Sequence, residues 1–289
     1  MSTEEIARVF LPVTFAIIMF SMGLTLTLPD VTRLMQRPRA FLVGAIIQIV
    51  VFPVVAFILV SIIPMRPEIA AGFMLLAACP GGTSAAMLTP IGRGDLALSV
   101  ALMIVSGLVS IVTLPLIVGW SLSSFMGARA AELPLAATML NIFALLVGPT
   151  AMGMAFARYS RTLAEWVEPK TRTLAMAVFA ALLVAAIVSK RGSFAHYIAV
   201  ATPLALALNF FMMCLAFGLA SRFGTEPRQR TAITIGCGVQ NSALAVVVAV
   251  TMLQSLEISM PAAMYSVIML FMGFGFALWS SAQIKDGQA

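Results

Sequence analysis

Two short polar stretches inside apolar segments hold the residues whose types and spacing suit binding chemistry. Residues 79–84 read CPGGTS, and residues 236–242 read GCGVQNS. Pro80 lacks an amide hydrogen and glycine resists helix for entropic reasons, so we expect the helix to break from Pro80 to Gly82 and to weaken at Gly238. Inside a bilayer, the backbone groups freed by such a break must be satisfied by protein or by a watery cavity. The two stretches are therefore candidate binding sites.

Hydroxyl and carboxamide side chains follow each break. After the first break we expect a half-helix with Thr83 or Ser84 as its N-cap, and its free amides and positive dipole end suit an anion. In the second stretch, Gln240, Asn241 and Ser242 are adjacent and point to different faces of a helix. Close packing of small residues and hydrogen bonds between helices are the structural alternatives. Those alternatives explain one polar residue better than three in a row, and they leave the paired hydroxyls unexplained, so we favour binding sites.

A single carboxamide lies in the apolar segment before each break. Gln48 precedes the first break and Asn209 precedes the second. A lone carboxamide in a membrane helix is as often a structural hydrogen bond as a functional group. The matching positions favour a functional role for both.

The composition is that of a membrane protein. The 289 residues are 61% hydrophobic and 10% charged, with a mean hydropathy of +1.06, whereas a soluble domain carries about 25% charged residues. We therefore expect an all-α polytopic membrane protein embedded in the lipid bilayer. The net charge of +6 follows membrane orientation rather than nucleic acid binding. The three cysteines lack metal-ligand spacing, and no cofactor is expected.

Nine apolar runs are long enough to cross a bilayer, which takes about 20 residues. They cover residues 6–28, 40–63, 68–92, 96–122, 134–157, 172–190, 194–220, 229–254 and 259–282. With the N-terminus outside, twelve Lys and Arg residues fall in inner connectors and five in outer ones. The positive-inside rule thus predicts a multi-pass protein of the cell membrane with its N-terminus outside and its C-terminus in the cytoplasm. The pair Lys190-Arg191 is the one local violation.

The order of the spans suggests an internal repeat. The third and eighth spans are both broken, and each follows a span that holds one carboxamide. Spans one to four and six to nine are therefore predicted to be two copies, with the fifth span as connector. Because span one runs inward and span six outward, the copies are inverted. Paired broken helices in inverted halves indicate the binding site of a transporter.

The acidic residues bear on two other classes of function. All eleven lie in connectors or near span ends, whereas a carboxylate at mid-membrane is the usual mark of proton or cation coupling. An enzyme in the membrane would need paired aspartates, a metal-ligand cluster or a Ser-His or Ser-Lys dyad, which the spans lack. We therefore expect no enzyme activity. A passive channel or a scaffold remains an alternative to a carrier.

The chain resembles the bile acid:sodium symporter family. The resemblance rests on residues 17–26 (IIMFSMGLTL), 79–83 (CPGGT), 93–100 (RGDLALSV) and 240–242 (QNS). Their order and spacing agree with the family over nearly the whole chain. None of these motifs would suffice alone, but together they are specific.

The resemblance implies a fold with two parts and a class of substrate. A core domain would comprise spans two to four and seven to nine, at about 40–122 and 194–282, with the two broken helices crossing at its centre. A panel domain would comprise spans one, five and six, at about 6–28, 134–157 and 172–190. The substrate cavity would lie between them, and motion of core against panel would give alternating access. Family substrates are organic anions, including bile acids, other amphiphiles and small carboxylates.

The sodium sites of the family transfer poorly to this chain. The positions matching the first site are Ala85, Ala86, Ser99, Met103 and Gly236, of which only Ser99 has a side-chain oxygen. The positions matching the second site are Gln48, Gly236, Cys237, Val239 and Gln240. Both glutamines remain, but glycine replaces the glutamate that the two sites share. Binding of Na⁺ is therefore doubtful, and no metal site is firmly predicted.

The sequence thus predicts a secondary transporter for an organic anion, with sodium-independent or weakly sodium-dependent transport. The alternative is a sodium-coupled symporter that uses the residual second site. The residues predicted to bind the substrate are Thr83, Ser84, Asn241, Ser242 and Asn209. Those predicted to organise the crossing are Gln48, Ser99, Asn209 and Gln240, and those predicted to supply broken-helix backbone are Pro80, Gly81, Gly82 and Gly238. The oligomeric state is left open.

Overall fold

The structure, a computed structural model, describes residues 3–25, 38–127, 134–189 and 191–286. Helices make up nearly all of these ranges, which contain one isolated β-bridge and no strand. The eleven helices are α1 Thr3–Thr25, α2 Pro38–Ile62, α3 Pro67–Ala78, α4 Thr83–Ile91, α5 Leu96–Met126, α6 Leu135–Tyr159, α7 Arg161–Ser189, α8 Arg191–Arg222, α9 Pro227–Gly238, α10 Ser242–Met252 and α11 Leu256–Asp286. The charged positions Arg33, Arg37, Arg129 and Lys190, which entered the orientation count, lie outside the described residues.

The helices confirm an all-α polytopic membrane protein. Among the described residues, five helical segments are long and apolar enough to cross a membrane. They are Pro38–Ile62, Leu96–Met126, Leu135–Tyr159, Ala199–Arg222 and Leu256–Ile284. Every predicted span overlaps a helix or a consecutive pair of helices. The number of nine crossings and the inverted repeat stay predictions.

Both predicted breaks are present. The apolar segment of the third predicted span forms α3 and α4, separated by four non-helical residues from Cys79 to Gly82. The segment of the eighth forms α9 and α10, separated by residues 239–241. In each case the helix ends where small residues or proline make helix unfavourable.

Two π-helical turns accompany the broken segments. Residues Ile47–Val51 within α2 are π-helical, and the amide of Phe52 donates to the carbonyl of Ile47. Residues Val248–Met252, at the end of α10, form the second π turn. A π turn inserts one residue into a helix and rotates the side chains that follow, and it is common at functional sites. The first π turn contains Gln48.

Close backbone packing joins α1 to α6. A Cβ atom built on Gly23 would overlap the carbonyl group of Thr150, and one built on Gly153 would overlap that of Phe20. Glycine is therefore required at both positions, as expected where two membrane helices approach closely. Helix α1 also packs along α7, whereas α11 packs mainly on α3, α4, α8, α9 and α10. The division into core and panel stays a prediction.

The connector after α4 ties the two broken segments together at one end. Asp95 caps α5 by accepting a hydrogen bond from the amide of Leu98 at 3.1 Å. The backbone amide of Asp95 donates to the carbonyl of Arg228, near the start of α9, at 2.9 Å. Asp95 thus sets the start of α5, the helix that carries Ser99 and Met103.

Candidate functional site

The two breaks lie against each other and satisfy each other's backbone. Gly81 and Gln240 form an antiparallel β-bridge. The amide of Gly82 donates to the carbonyl of Val239 at 2.8 Å, and the amide of Asn241 donates to the carbonyl of Pro80 at 2.8 Å. Unpaired backbone groups are costly inside a membrane, and this pairing removes the cost at the point where both helices stop. The two sequence motifs therefore form one site.

The N-cap of the half-helix after the first break differs from the prediction. Gly82, and not Thr83 or Ser84, is the N-cap of α4, and no side chain caps this helix. The prediction was wrong because Gly82 takes an extended conformation to pair with Val239, which moves the start of the helix to Thr83. At the second break, Asn241 caps α10 by accepting a hydrogen bond from the amide of Leu244 at 3.1 Å.

In the described part of the chain, three cavities of about 300 Å³ or more surround the crossing. The end cavity has a volume of about 370 Å³ and is lined by Ile18, Met22, Thr25, Thr83, Ala86, Met87, Leu96, Ala97, Val100, Met103, Glu168 and Arg172. The α6 cavity, of about 300 Å³, lies between α1, α5, α6 and the first break, and Asn241 also lines it. The α11 cavity, of about 340 Å³, lies between α7, α11 and both breaks. Thr83 is shared by the end and α11 cavities, and Asn241 by the α6 and α11 cavities.

The structure brings four of the five predicted substrate residues to one cavity. Thr83, Ser84, Asn241 and Ser242 all line the α11 cavity, together with apolar side chains of α7 and α11. Asn209 is fully buried and is not part of the lining of the three cavities around the crossing. Contact between these side chains and a substrate stays a prediction.

Asn209 instead contacts the backbone of the second break. Its amide nitrogen donates to the carbonyl of Gly238 at 2.7 Å. The hydroxyl of Tyr265 donates to the same carbonyl at 2.9 Å. Gly238 is the last residue of α9, so its carbonyl has no partner further along that helix. Two side chains from α8 and α11 thus hold the end of α9 in place.

Gln48 and Gln240 form a buried hydrogen-bonded chain. The amide nitrogen of Gln48 donates to the side-chain oxygen of Gln240 at 2.7 Å. The amide nitrogen of Gln240 in turn donates to the carbonyl of Cys237 at 2.9 Å. Two of the oxygens that could bind a cation here therefore already accept hydrogen bonds from protein donors.

Among the other residual cation-site positions, Ser99 alone has a side-chain oxygen. The hydroxyl oxygen of Thr89 lies 3.1 Å from that of Ser99 and 2.7 Å from the carbonyl of Ala85. Met103 is buried nearby on α5. Gly236 is also buried, and a Cβ atom built on it would meet nothing within 4 Å.

Several residues of the site could not be singled out from the amino-acid sequence. Tyr265 and Thr89 look like ordinary residues of apolar spans, and their roles depend on partners at distant or opposite positions. Ser106 accepts a hydrogen bond from the amide of Gly81 at 3.3 Å. Glu168 and Arg172 were counted as connector charges, but they line the end cavity. Their spacing of four residues, which places them on one face of a helix, was the available signal.

Comparison with protein families decides the identity of the fold. The model of the Sodium Bile acid symporter family matches residues 12–197, which include the first break. The chain belongs to the Sodium Bile acid symporter family. Members of this family are transporters, so the protein is a membrane transporter and not an enzyme.

Named relatives of the family are similar over most of this chain. The "Uncharacterized sodium-dependent transporter YocS" of Bacillus subtilis is 26% identical over 97% of this chain and 85% of its own length. The "Probable sodium/metabolite cotransporter BASS1, chloroplastic" of Arabidopsis thaliana is 28% identical over 95% of this chain and 67% of its own length. "Sodium/bile acid cotransporter 4" of Mus musculus is 24% identical over 81% of this chain, which spans about half of the mouse protein.

The residues present fit a sodium ion poorly. Sodium, like other hard cations, prefers oxygen ligands, and inside a membrane it favours a neighbouring carboxylate. The position that the family resemblance assigns to a shared glutamate is Gly236. The remaining carboxamide chain from Gln48 to Cys237 is neutral, and its members bond to one another.

Proposed function

We propose that this protein is a secondary transporter that moves an organic anion by alternating access, without a steep requirement for sodium. The observation that carries the proposal is the crossing of the two broken segments, whose backbones pair at Gly81 and Gln240. Broken helices that meet near the centre of a membrane protein are the usual binding apparatus of secondary transporters. The hydroxyl and amide groups of both segments line one cavity.

The chemistry of the cavities supports an anion with an apolar body. Thr83 and Ser84 begin α4, and the first amides of a helix have no intrahelical partners and favour negative charge. The rest of the α11 cavity is lined mainly by apolar side chains of α7 and α11, such as Phe179 and Phe271. Substrates of this kind range from bile-acid-like amphiphiles to small carboxylates.

Motion of a panel against a core is the proposed basis of alternating access. The panel comprises α1, α6 and α7, and the core comprises the remaining helices. Support comes from the packing of α1, which lies against α6 at Gly23 and Gly153 and packs along α7 as well. Substrate would bind in the cavities between α1 and the crossing and become exposed to one side at a time.

Sodium independence is supported by the state of the residual ligands. The shared carboxylate is missing at Gly236, and Gln240 and Cys237 use their oxygens within the protein. A cation entering here would compete with the hydrogen bonds of a buried network and would gain no neighbouring negative charge.

Uptake into proteoliposomes tests the proposal. Labelled cholate and labelled pyruvate would be offered in sodium chloride and then in choline chloride. We expect saturable uptake of at least one of the two acids, at similar rates in both salts. Acceleration of labelled uptake by unlabelled acid inside the vesicles would separate a carrier from a channel. A steep, saturable sodium requirement would refute sodium independence while leaving organic anion transport in place.

A sodium-coupled symporter is the second candidate. It is favoured by the meeting of Gln48 and Gln240 at 2.7 Å and by relatives whose names describe sodium-dependent transport or cotransport. In that case, replacing either glutamine with alanine should abolish the dependence of uptake on sodium. If uptake does not depend on sodium, neither variant should change the ratio of the uptake rate in sodium chloride to the uptake rate in choline chloride.

We also propose that the protein lies in the cell membrane with its N-terminus outside and its C-terminus in the cytoplasm. The excess of Lys and Arg in the connectors on one side supports this orientation. A C-terminal tag should be cleaved by protease in inside-out vesicles and protected in right-side-out vesicles. The opposite pattern would refute the orientation.

A further inference from the structure

The end cavity contains an ion pair that is set into its wall. Glu168 and Arg172 lie one turn apart on α7, and Nη1 of Arg172 is 2.9 Å from Oε1 of Glu168. Their side chains are only 12% and 25% exposed. The pair Arg161–Glu165, two turns earlier on the same helix, has the same spacing but is 50% and 64% exposed. Only the later pair lines the cavity.

The surroundings of the pair are mostly apolar. Among the described residues that line the end cavity, Glu168 and Arg172 are the two that carry charge. The opposite walls are formed by α1, α4 and α5, with side chains such as Met22, Met87 and Val100. Moving two charges from water into an apolar wall costs free energy, and their mutual attraction does not always offset that cost. Their position therefore suggests binding rather than stability.

The geometry leaves Arg172 with unused donors. A guanidinium group has five N–H donors in a planar fork that fits carboxylate and sulfonate groups. Glu168 is its one ion-pair partner in the described part of the chain, through Nη1. Glu168 is the more deeply buried of the two, so it holds the guanidinium at the cavity wall. Arg172 is the more accessible of the two to a ligand in the cavity.

We propose that Arg172 is the anion-binding residue of the end cavity. It binds the carboxylate or sulfonate of the transported molecule, whose apolar body lies on α1, α4 and α5. Glu168 positions the guanidinium and also competes with the substrate for it, so that binding stays reversible. This inference rests on the proposed transport of organic anions. Thr83, which lines both this cavity and the α11 cavity, connects the anion subsite to the crossing.

Binding of charged and uncharged probes to the purified full-length chain tests the inference. The probes are cholate and 4-phenylbutyrate, each paired with its amide, and affinity is taken from the dependence of Tm on probe concentration. We expect the wild type to bind each acid more tightly than its amide. Arg172→Gln should weaken binding of the acids by about tenfold to a hundredfold, because one charge-assisted contact is lost, and should leave the amides unchanged. Arg172→Lys should fall between the two, since lysine keeps the charge but not the fork.

Two further variants make the result specific. Arg161→Gln removes an equivalent charge from the same helix outside the cavity and should leave the affinity for the acids unchanged. Glu168→Gln removes the competing charge and should increase that affinity by about tenfold. The Glu168→Gln measurement also stands if Arg172→Gln does not fold.

The failures of the subsite and of the proposed function are distinguishable. Suppose that the wild type prefers acids to amides. If Arg172→Gln retains that preference, or if Glu168→Gln does not increase the affinity for the acids, Arg172 is not the anion subsite. Organic anion transport would still stand in that case. If the wild type shows no preference for either acid, both the proposed substrate class and this inference are wrong.

Discussion

At the scale of single residues, the carbonyl of Gly238 depends on two donors. Asn209 and Tyr265 both donate to it. Tyr265→Phe removes one donor and should destabilise the protein by about 1 kcal/mol, because Asn209 still satisfies the carbonyl. Asn209→Ala should cost a similar amount for the same reason. Unfolding of the detergent-solubilised protein measures both.

The double variant separates shared support from two independent contacts. With Asn209→Ala and Tyr265→Phe together, the buried carbonyl has neither donor, which should cost at least about 1 kcal/mol beyond the sum of the single effects. Additive losses would show that the two hydrogen bonds act independently. Neither of these two hydrogen bonds could be predicted from the sequence. The polarity of Asn209 singled it out but did not indicate its acceptor, and Tyr265 lies 27 positions from its acceptor.

Gly236 offers a test of the missing sodium ligand. The glycine is buried, and a Cβ atom there meets nothing within 4 Å. Gly236→Glu restores a carboxylate at the position that the family resemblance assigns to the shared glutamate, so we expect sodium to raise the Tm of this variant. Sodium at ten times its dissociation constant would add about 1.4 kcal/mol of stability.

Gly236→Gln is the matched control, because it adds the same bulk without the charge. Its Tm, like that of the wild type, should be equal in sodium chloride and choline chloride. A sodium response in the wild type would contradict sodium independence. Equal responses of the glutamate and glutamine variants would show that the carboxylate is not the missing ligand.

At the scale of elements, the crossing requires glycine at one of two neighbouring positions. A Cβ atom on Gly82 would lie 2.6 Å from the carbonyl oxygen of Gln240, and because this neighbour is backbone, it cannot rotate away. On Gly81 the nearest atom would be 3.5 Å away, which is an ordinary contact. We expect Gly82→Ala to destabilise the protein by about 3 kcal/mol and Gly81→Ala by less than about 1 kcal/mol. Unfolding curves of both variants check this, and equal losses would contradict the observed pairing of the breaks.

The sequence predicted these elements better than it predicted their ends. Proline and glycine act locally, so both breaks could be placed from residue types alone. The N-cap of α4 could not be placed in this way, because pairing with Val239, on a distant segment, imposes the extended conformation of Gly82. Thr83 was therefore expected to cap the helix, and its side chain lines two cavities instead.

At the scale of the whole molecule, the cavities are set by packing between helices, which sequence patterns do not report. The family resemblance and the apolar runs gave the all-helical membrane class. The cavities depend on which side chains of α1, α5 and α7 face one another, and no periodicity in one sequence reports that. Glu168 and Arg172 show the consequence, since their charges suggested a solvated connector and their packing places them in a cavity wall.

Alternating access predicts that filling a cavity between the core and the panel stops transport without unfolding the protein. Gly107 on α5 lines the α6 cavity, and a Cβ atom there meets nothing within 4 Å. Gly107→Phe should fill part of this 300 Å³ space and abolish uptake into proteoliposomes, because substrate and moving helices need the same volume. Gly119 on the same helix also has open space around it but is not part of the lining of the three cavities. Gly119→Phe should therefore transport normally, and both variants should unfold within about 1 kcal/mol of the wild type. Full activity of Gly107→Phe would exclude the α6 cavity from the transport path.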